Sequence, residues 1–307
     1  MKQSTPSGGK PRIGFIGLGL MGHGMAKNLV TKGFPLTVRI HKNRNPLEDL
    51  LAAGAKEAKS NAELARASDI VFLCVTGSPQ IESIVYGHDG LLEAAREGHV
   101  VVDTSTAEPA STARIRMDFG AKRAEYVDAP LARTPKEAEE GKLNTMVGAE
   151  DAVFEKLKPV LLAYCENVIH VGGPGHGHMI KLINNFVAMT IANASAEACA
   201  TAAKAGVSIQ KLYEVISAGG VNSGIFQMVV GKMLQKDLSG LKFTLVNAQK
   251  DLRYYTHFAE AMSVPCYLGE TVHQRLTEAC AMGFGDKYIA SLLEVQEKIN
   301  GVRIVPT

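Results

Sequence analysis

The first half of the chain alternates between short apolar runs and amphipathic stretches. Ile13–Ile16, Leu36–Ile40, Ile70–Val75, Val100–Asp103 and Tyr126–Asp128 are short blocks rich in Val, Ile and Leu. Runs of this length, with β-branched residues, predict strands. Leu47–Ala53 and Ile115–Ala121, lying between them, predict helices. The alternation predicts an α/β fold with a parallel, doubly wound sheet. Asn144–Val147 and Val168–His170 are two further candidate strands. The pattern changes after Gly172-Gly173-Pro174-Gly175. From about Gly177 to Lys204 the chain is Ala-rich, with Leu182, Phe186 and Met189 at helical spacing. Beyond it strand patterns nearly vanish. The expected organisation is a disordered tail over 1–10, an α/β domain over 11–174, and an all-α domain over 175–307 opened by a long interdomain helix.

The first strand runs into G-x-G-x-x-G at Gly17, Gly19 and Gly22, followed by a helix whose apolar positions include Met25 and Leu29. In a chain with 30 glycines the spacing alone says little. Its placement between a strand and a helix points to a dinucleotide site, and makes the first domain Rossmann-like. Gly17 makes the tight turn, Gly19 lets backbone approach a pyrophosphate, and Gly22 permits close packing. The helix start offers N–H groups to phosphate. Gly17, Leu18, Gly19, Leu20, Met21 and Gly22 are the candidate cofactor turn, with Val75 and Thr76 at the end of a later strand. NAD sites carry an acid after the second strand. Here His41-Lys42-Asn43-Arg44-Asn45 follows, with no acid before Glu48. A basic turn suits a 2′-phosphate, so NADP(H) is favoured over NAD(H), with His41, Lys42 and Arg44 as its contacts. A solvated basic turn is the alternative.

Composition narrows the partners. Apolar residues make up 46%, charged residues 21%, and net charge is +2. The basic residues are scattered, so neither nucleic acid nor membrane is expected. No apolar run reaches the roughly 18 residues of a membrane span. The polar opening MKQSTPSGGK lacks a leader core, so a cytoplasmic location is expected. Five cysteines (Cys74, Cys165, Cys199, Cys266, Cys280) show no metal-like spacing and read as reduced core thiols. His176 and His178 lack a nearby Cys or acid in a zinc-like pattern. They read as loop histidines flanking the helix start, and no metal is expected.

Two polar stretches follow strands: Asp103-Thr104-Ser105-Thr106, and Asp128-Ala129-Pro130-Leu131-Ala132-Arg133-Thr134. On the long helix Lys181, Asn184 and Asn185 stand at i, i+3 and i+4, on one face. A lysine and two amides there can form a compact polar site. Taken singly, Ser105 is also a candidate helix cap and Lys181 a solvated helix lysine.

These motifs together resemble the β-hydroxyacid dehydrogenase family, within the 6-phosphogluconate dehydrogenase superfamily. The resemblance covers residues 11–300. It rests on GLGLMGHGMAKNL, D-x-S-T, the D-x-P loop with A-x-x-G-x-L, the G-x-G-x-x-x-K-x-x-x-N helix, and Lys250-Asp251-Leu252. It implies an oxidoreductase that interconverts a small semialdehyde and its β-hydroxy acid. Lys181 matches the catalytic acid/base, and Ser105 the substrate-contacting serine. Asn184 and Asn185 are candidates to orient the substrate or the lysine, Asp251 is a candidate substrate contact, and Phe243, Lys250 and Asp251 match positions that close over nicotinamide. A structural ion pair and a core phenylalanine are the competing readings for Lys250, Asp251 and Phe243. The resemblance also implies a homodimer or homotetramer built through the helical domain.

One loop departs from the family. Most members have Ser-Gly-Gly where this chain has Ala132-Arg133-Thr134, and there the loop holds a substrate carboxylate. Arg133, with its planar fork, and Thr134 are candidates to bind a substrate anion here, carboxylate or sulfonate. Members that reduce a sulfonated aldehyde carry Gly-Arg-Thr in this loop. Their sulfonate-contacting serine, seven residues after the lysine, is Ala188 here. Imine reductases share the architecture but usually replace the helix lysine by Asp or Tyr. 6-Phosphogluconate dehydrogenase has a longer helical domain. A non-catalytic NADP-binding interaction module is the alternative from another class; such a chain is expected to have lost Lys181 and Ser105.

Overall fold

The computed structural model of the chain describes residues 9–40 and 44–306. Residues 1–8 of the expected tail, and His41 and Lys42 of the basic turn, lie outside the described residues. Lys10, placed in that tail from sequence, is exposed but makes two contacts with the fold. It donates to the Lys32 carbonyl, and its ammonium lies 4.9 Å over the Phe34 ring. The chain divides into two compact units, one ending at Lys181 and one beginning at Leu182.

In the first unit, strands and helices alternate as β1 (Ile13–Ile16), α1 (Gly22–Thr31), β2 (Leu36–Arg39), α2 (Glu48–Ala52), β3 (Lys56–Glu57), α3 (Asn61–Ala67), β4 (Ile70–Leu73), α4 (Ser78–Tyr86), β5 (Val100–Asp103), α5 (Pro109–Ala121) and β6 (Glu125–Asp128). Then come β7 (Leu131–Ala132), α6 (Pro135–Glu140), β8 (Leu143–Gly148), α7 (Asp151–Leu161), β9 (Cys165–Gly172) and the long α8 (His176–Lys204). The sheet order is β3-β2-β1-β4-β5-β6-β8-β7, with β9 beside β8. Strands β1, β4 and β5 are buried at every position because helices cover both faces, hence their unbroken apolar runs. One core packs Phe15, Phe72 and Leu29 with α7's Leu157; another packs Val71, Leu73 and Val101 with Ile81 and Phe119. Burying each such side chain fully contributes about 1.5–3 kcal/mol.

The sheet is parallel from β3 to β6, but β8 runs antiparallel to β6 and β7. The chain between β7 and β8 explains the reversal. It holds ten residues, six of them α6, and a parallel return takes about a dozen residues or more. Strand order reverses around β1, which has β2 on one side and β4 on the other. The crevice past the carboxyl ends of such a strand pair is where open α/β sheets bind ligands.

The second unit continues α8 and adds α9 (Ile209–Ala218), α10 (Gly224–Phe226), α11 (Lys232–Leu234), α12 (Leu245–Ala261), α13 (Tyr267–Ala279) and α14 (Leu292–Asn300). Its core packs Met189, Ala192 and Ala196 of α8 against Leu245, Leu252, Leu276 and Leu293. Small residues along α8 let these helices approach closely. Among the described residues the only pairing of extended chain in this unit is the bridge Thr244–Tyr288, and no helix is long and apolar enough to cross a membrane. All five cysteines are free.

Candidate active site

The glycine turn leaves β1 at the strand-order reversal. Gly17 has φ +101°, and a Cβ there would lie 2.2 Å from the Cys74 carbonyl oxygen, so only glycine fits. A Cβ on Gly22 would lie 1.9 Å from the Gly17 carbonyl. Gly19 is the opposite case: a Cβ would meet nothing within 4 Å. Its backbone faces open space, as a pyrophosphate cradle requires. Helix α1 has no side-chain cap and no acid in its first turn, which leaves its positive end to an anion. Leu18 packs on the core, while Leu20 is exposed. The turn fits a dinucleotide.

At the end of β5, Asp103 is buried, with both oxygens bonded. Oδ1 accepts the Ser105 N–H at 2.9 Å, and Oδ2 accepts the Tyr126 hydroxyl at 2.8 Å. Burial, with the Asp103 charge beside it, pushes the Tyr126 phenol well above its ordinary range, so it stays a donor. Ser105 in turn accepts the Val75 N–H at 3.0 Å, tying the ends of β4 and β5 together. Thr76 next to it is exposed.

Asp128, buried at the end of β6, anchors α8. Its Oδ1 accepts the Gly175 N–H at 2.6 Å and its Oδ2 the His178 N–H at 2.8 Å. A carboxylate there satisfies orphan donors of the first turn and complements the helix dipole. Gly177 is forced by the approach: a Cβ would lie 2.6 Å from the Met146 carbonyl oxygen. Lys181 follows, one turn into the anchored helix. His178 lies inside α8 and is fully buried, not in a flanking loop as the sequence suggested. No group of three or more metal-ligating side chains occurs among the described residues.

The loop after β7 places its residues otherwise than expected. Arg133 takes φ +83°, which a side chain rarely adopts, and donates to Glu166 on β9 and, at 2.6 Å, to the Lys142 carbonyl. Thr134 caps α6: its N–H and hydroxyl both donate to Glu137. Its hydroxyl is therefore engaged in the fold rather than presented to a substrate. Arg44 donates two N–H groups to Glu57 on β3, at 3.0 and 2.9 Å. The acid missing from the sequence after β2 thus arrives from the neighbouring edge strand.

Within the second unit, Asp251 is 2% exposed, and both its oxygens are taken. Oδ2 accepts from the Asn185 amide at 2.7 Å, and Oδ1 pairs with Lys250 at 2.7 Å. Lys250 also lies 4.9 Å over the Tyr254 ring. The expected substrate contact at Asp251 becomes a buried anchor for Asn185 and Lys250. Asn184 is exposed, and Phe243 is partly buried against the helical core.

Residues 12–173 match the NAD binding domain of 6-phosphogluconate dehydrogenase. Residues 175–295 match the NAD-binding model of NADP-dependent 3-hydroxyisobutyrate dehydrogenase. The chain is similar to 2-(hydroxymethyl)glutarate dehydrogenase of Eubacterium barkeri, 32% identical over 95% of this chain and 97% of the other. It is also similar to 2-hydroxy-3-oxopropionate reductase of Escherichia coli, 33% identical over 92% of this chain and 95% of that one. The chain belongs to the β-hydroxyacid dehydrogenase family. A solved 3-hydroxyisobutyrate dehydrogenase from Salmonella typhimurium, 28% identical, superposes with a TM-score of 0.80 over 92% of this chain and 99% of its own. The protein is a β-hydroxyacid dehydrogenase that uses a nicotinamide cofactor, and a non-catalytic module is set aside. Four acids escaped the list of candidate residues read from the sequence: Asp103, Asp128, Glu57 and Glu166. For the first two a signal was present, since an acid closing a buried apolar strand must find donors.

Proposed function

We propose that this β-hydroxyacid dehydrogenase is an NADPH-dependent reductase of small anionic semialdehydes, with Lys181 as proton donor. The observation that carries the reading is the Asp128 anchor on the first turn of α8. It fixes the helix that bears Lys181 in the unit that also carries Ser105 and the open glycine turn. The cofactor, when bound, supplies hydride to the aldehyde carbon. The Lys181 ammonium stabilises charge developing on the carbonyl oxygen and delivers the proton. Ser105, whose oxygen already accepts from Val75, keeps its own hydrogen to donate to substrate.

Arg133 binds the substrate anion by leaving Glu166, and Arg44 binds the 2′-phosphate by leaving Glu57. Each exchange gives up a solvent-exposed ion pair, which is weak and screened by salt. It gains a forked, charge-assisted contact to a doubly or singly charged anion. The positive φ at Arg133 supports this role, because strain of that kind collects at ligand-binding positions. In this reading the first unit binds cofactor, and the helical unit supplies the surfaces of a dimer or tetramer. The test is NADPH oxidation with 2-hydroxy-3-oxopropionate, a sulfonated aldehyde of the same length, and an uncharged one. Turnover confined to the charged aldehydes supports the reading, whereas equal turnover of the uncharged aldehyde overturns it.

A further inference from the structure

His178 is fully buried one turn before Lys181 on α8. Its backbone N–H is held by Asp128 at 2.8 Å. Its Nδ1 shares a hydrogen bond of 2.7 Å with the Thr112 hydroxyl on α5. Its Nε2 faces Asp103 Oδ2 at 3.6 Å, too far for a hydrogen bond. The same Asp103 carboxylate holds the Ser105 N–H and the Tyr126 hydroxyl. One buried carboxylate therefore touches both the loop that carries Ser105 and the helix that carries Lys181. Asp128 fixes α8 along its axis, and a ring wedged between Asp103 and Thr112 fixes its rotation. A helix turned by a few degrees at His178 swings the long Lys181 side chain by a larger arc.

We propose that His178 and Asp103 form a positioning pair that sets Lys181 relative to Ser105. Neither touches substrate; both act through the residues they hold. The proposal rests on the reading of Lys181 as proton donor. Two variants separate the arms of the ring. His178→Asn keeps a polar atom near the Nδ1 position, beside Thr112. His178→Gln extends one to the Nε2 position, beside Asp103. Both are compared with wild type and Lys181→Ala for kcat, KM, NADPH affinity, Tm and the isotope effect with 4-deuterated NADPH. His178→Asn is expected to lose about ten- to a hundredfold in kcat, the scale of a small misplacement of a reacting group. Its NADPH affinity stays unchanged and its isotope effect rises, because hydride transfer now limits turnover. His178→Gln restores most of the loss. The proposal is overturned if His178→Asn keeps wild-type kcat and isotope effect while Lys181→Ala is inactive. It is equally overturned if kcat falls only in step with Tm, with the isotope effect unmoved. Turnover by Lys181→Ala would instead remove the reading on which the pair rests.

Discussion

Two arginines near the surface and two carboxylates inside the first unit are bonded in opposite ways. Arg44 and Arg133 each pair with a glutamate, and all four side chains keep about a third or more of their surface in water. Asp103 and Asp128 are buried and accept backbone N–H groups. Exposed pairs are weak and screened by salt, so an arriving anion can displace the glutamate. A buried carboxylate stripped of its donors is costly, by several kcal/mol, so its bonds hold during turnover. In the proposed function, selectivity falls to the exchangeable pairs and the geometry of proton transfer to the fixed carboxylates.

The sharpest break of that contrast is Lys181→Ala. It removes the group that the fixed region positions and leaves the glycine turn intact. Turnover is expected to fall about a hundred- to ten-thousand-fold, the usual contribution of an acid–base group. NADPH affinity, measured by fluorescence titration, stays near wild type. Retention of more than roughly a tenth of kcat contradicts the assignment.

The exchangeable pairs come next. Arg133→Ala is expected to cost roughly 1.5–3 kcal/mol in kcat/KM for charged aldehydes, the scale of a hydrogen bond to a charged group. Uncharged aldehydes should be nearly insensitive. Glu166→Gln removes the competitor and should lower KM for charged substrates by a few-fold, within the worth of an exposed pair. If Glu166→Gln raises KM, the glutamate is holding Arg133 in its working position rather than competing for it. Arg44→Ala should weaken NADPH binding several-fold and leave NADH unchanged, and Glu57→Gln should widen the preference for NADPH. Equal wild-type affinity for both cofactors would end that reading.

The smallest effect joins the two kinds of bonding. His23, in the first turn of α1, reaches Glu139 on α6 at 2.8 Å and Asp49 on α2 at 2.9 Å, while Lys27 pairs with Glu139 at 3.3 Å. Burial opposes the charged ring, but the hydrogen bonds to Glu139 and Asp49 outweigh it and raise its pKa. The same contacts lower the pKa of both acids against burial. A raised folded-state pKa means stabilisation that is full below the ordinary histidine range and lost as pH climbs through the raised value. At the acid end it is lost as Asp49 and Glu139 take up protons, below their ordinary values. The Tm gap between wild type and His23→Gln should therefore be widest in mildly acidic solution and close at alkaline pH. The stability difference behind it is about 1 kcal/mol or less, because the acids are partly exposed. A pH-independent gap would show that the ring acts only by packing.

The strands with both faces covered were the legible part of the fold. β1, β4 and β5 are continuous apolar runs, and burial on both sides is what makes them so. β3 and β7, two residues each, carry no periodicity, and the antiparallel turn into β8 follows from a short connection rather than from any apolar pattern. The glycine turn and the start of α8 were legible because their signals are local: a strand end, a tight turn, a helix start. The partners of the arginines were not. Glu57 lies 13 residues from Arg44 and Glu166 lies 33 from Arg133, and only the sheet brings them together. The cap that Thr134 makes on α6 and the buried bonds of Asp251 to Asn185 and Lys250 were not among the sequence expectations. His178, following Gly177, looked like a loop residue flanking the helix start. Gly177 instead lets the helix start press against β8, which draws His178 inside.

The most direct test is a crystal structure of the complex with NADP+ and a bound hydroxy acid. The account predicts that Arg133 has left Glu166 for the acid's anionic group and Arg44 has left Glu57 for the 2′-phosphate. The bonds from Asp128 to Gly175 and His178, and from Asp103 to Ser105, stay as they are. Arginines still paired with their glutamates while the anion sits elsewhere, or a first turn of α8 pulled away from Asp128, would contradict it.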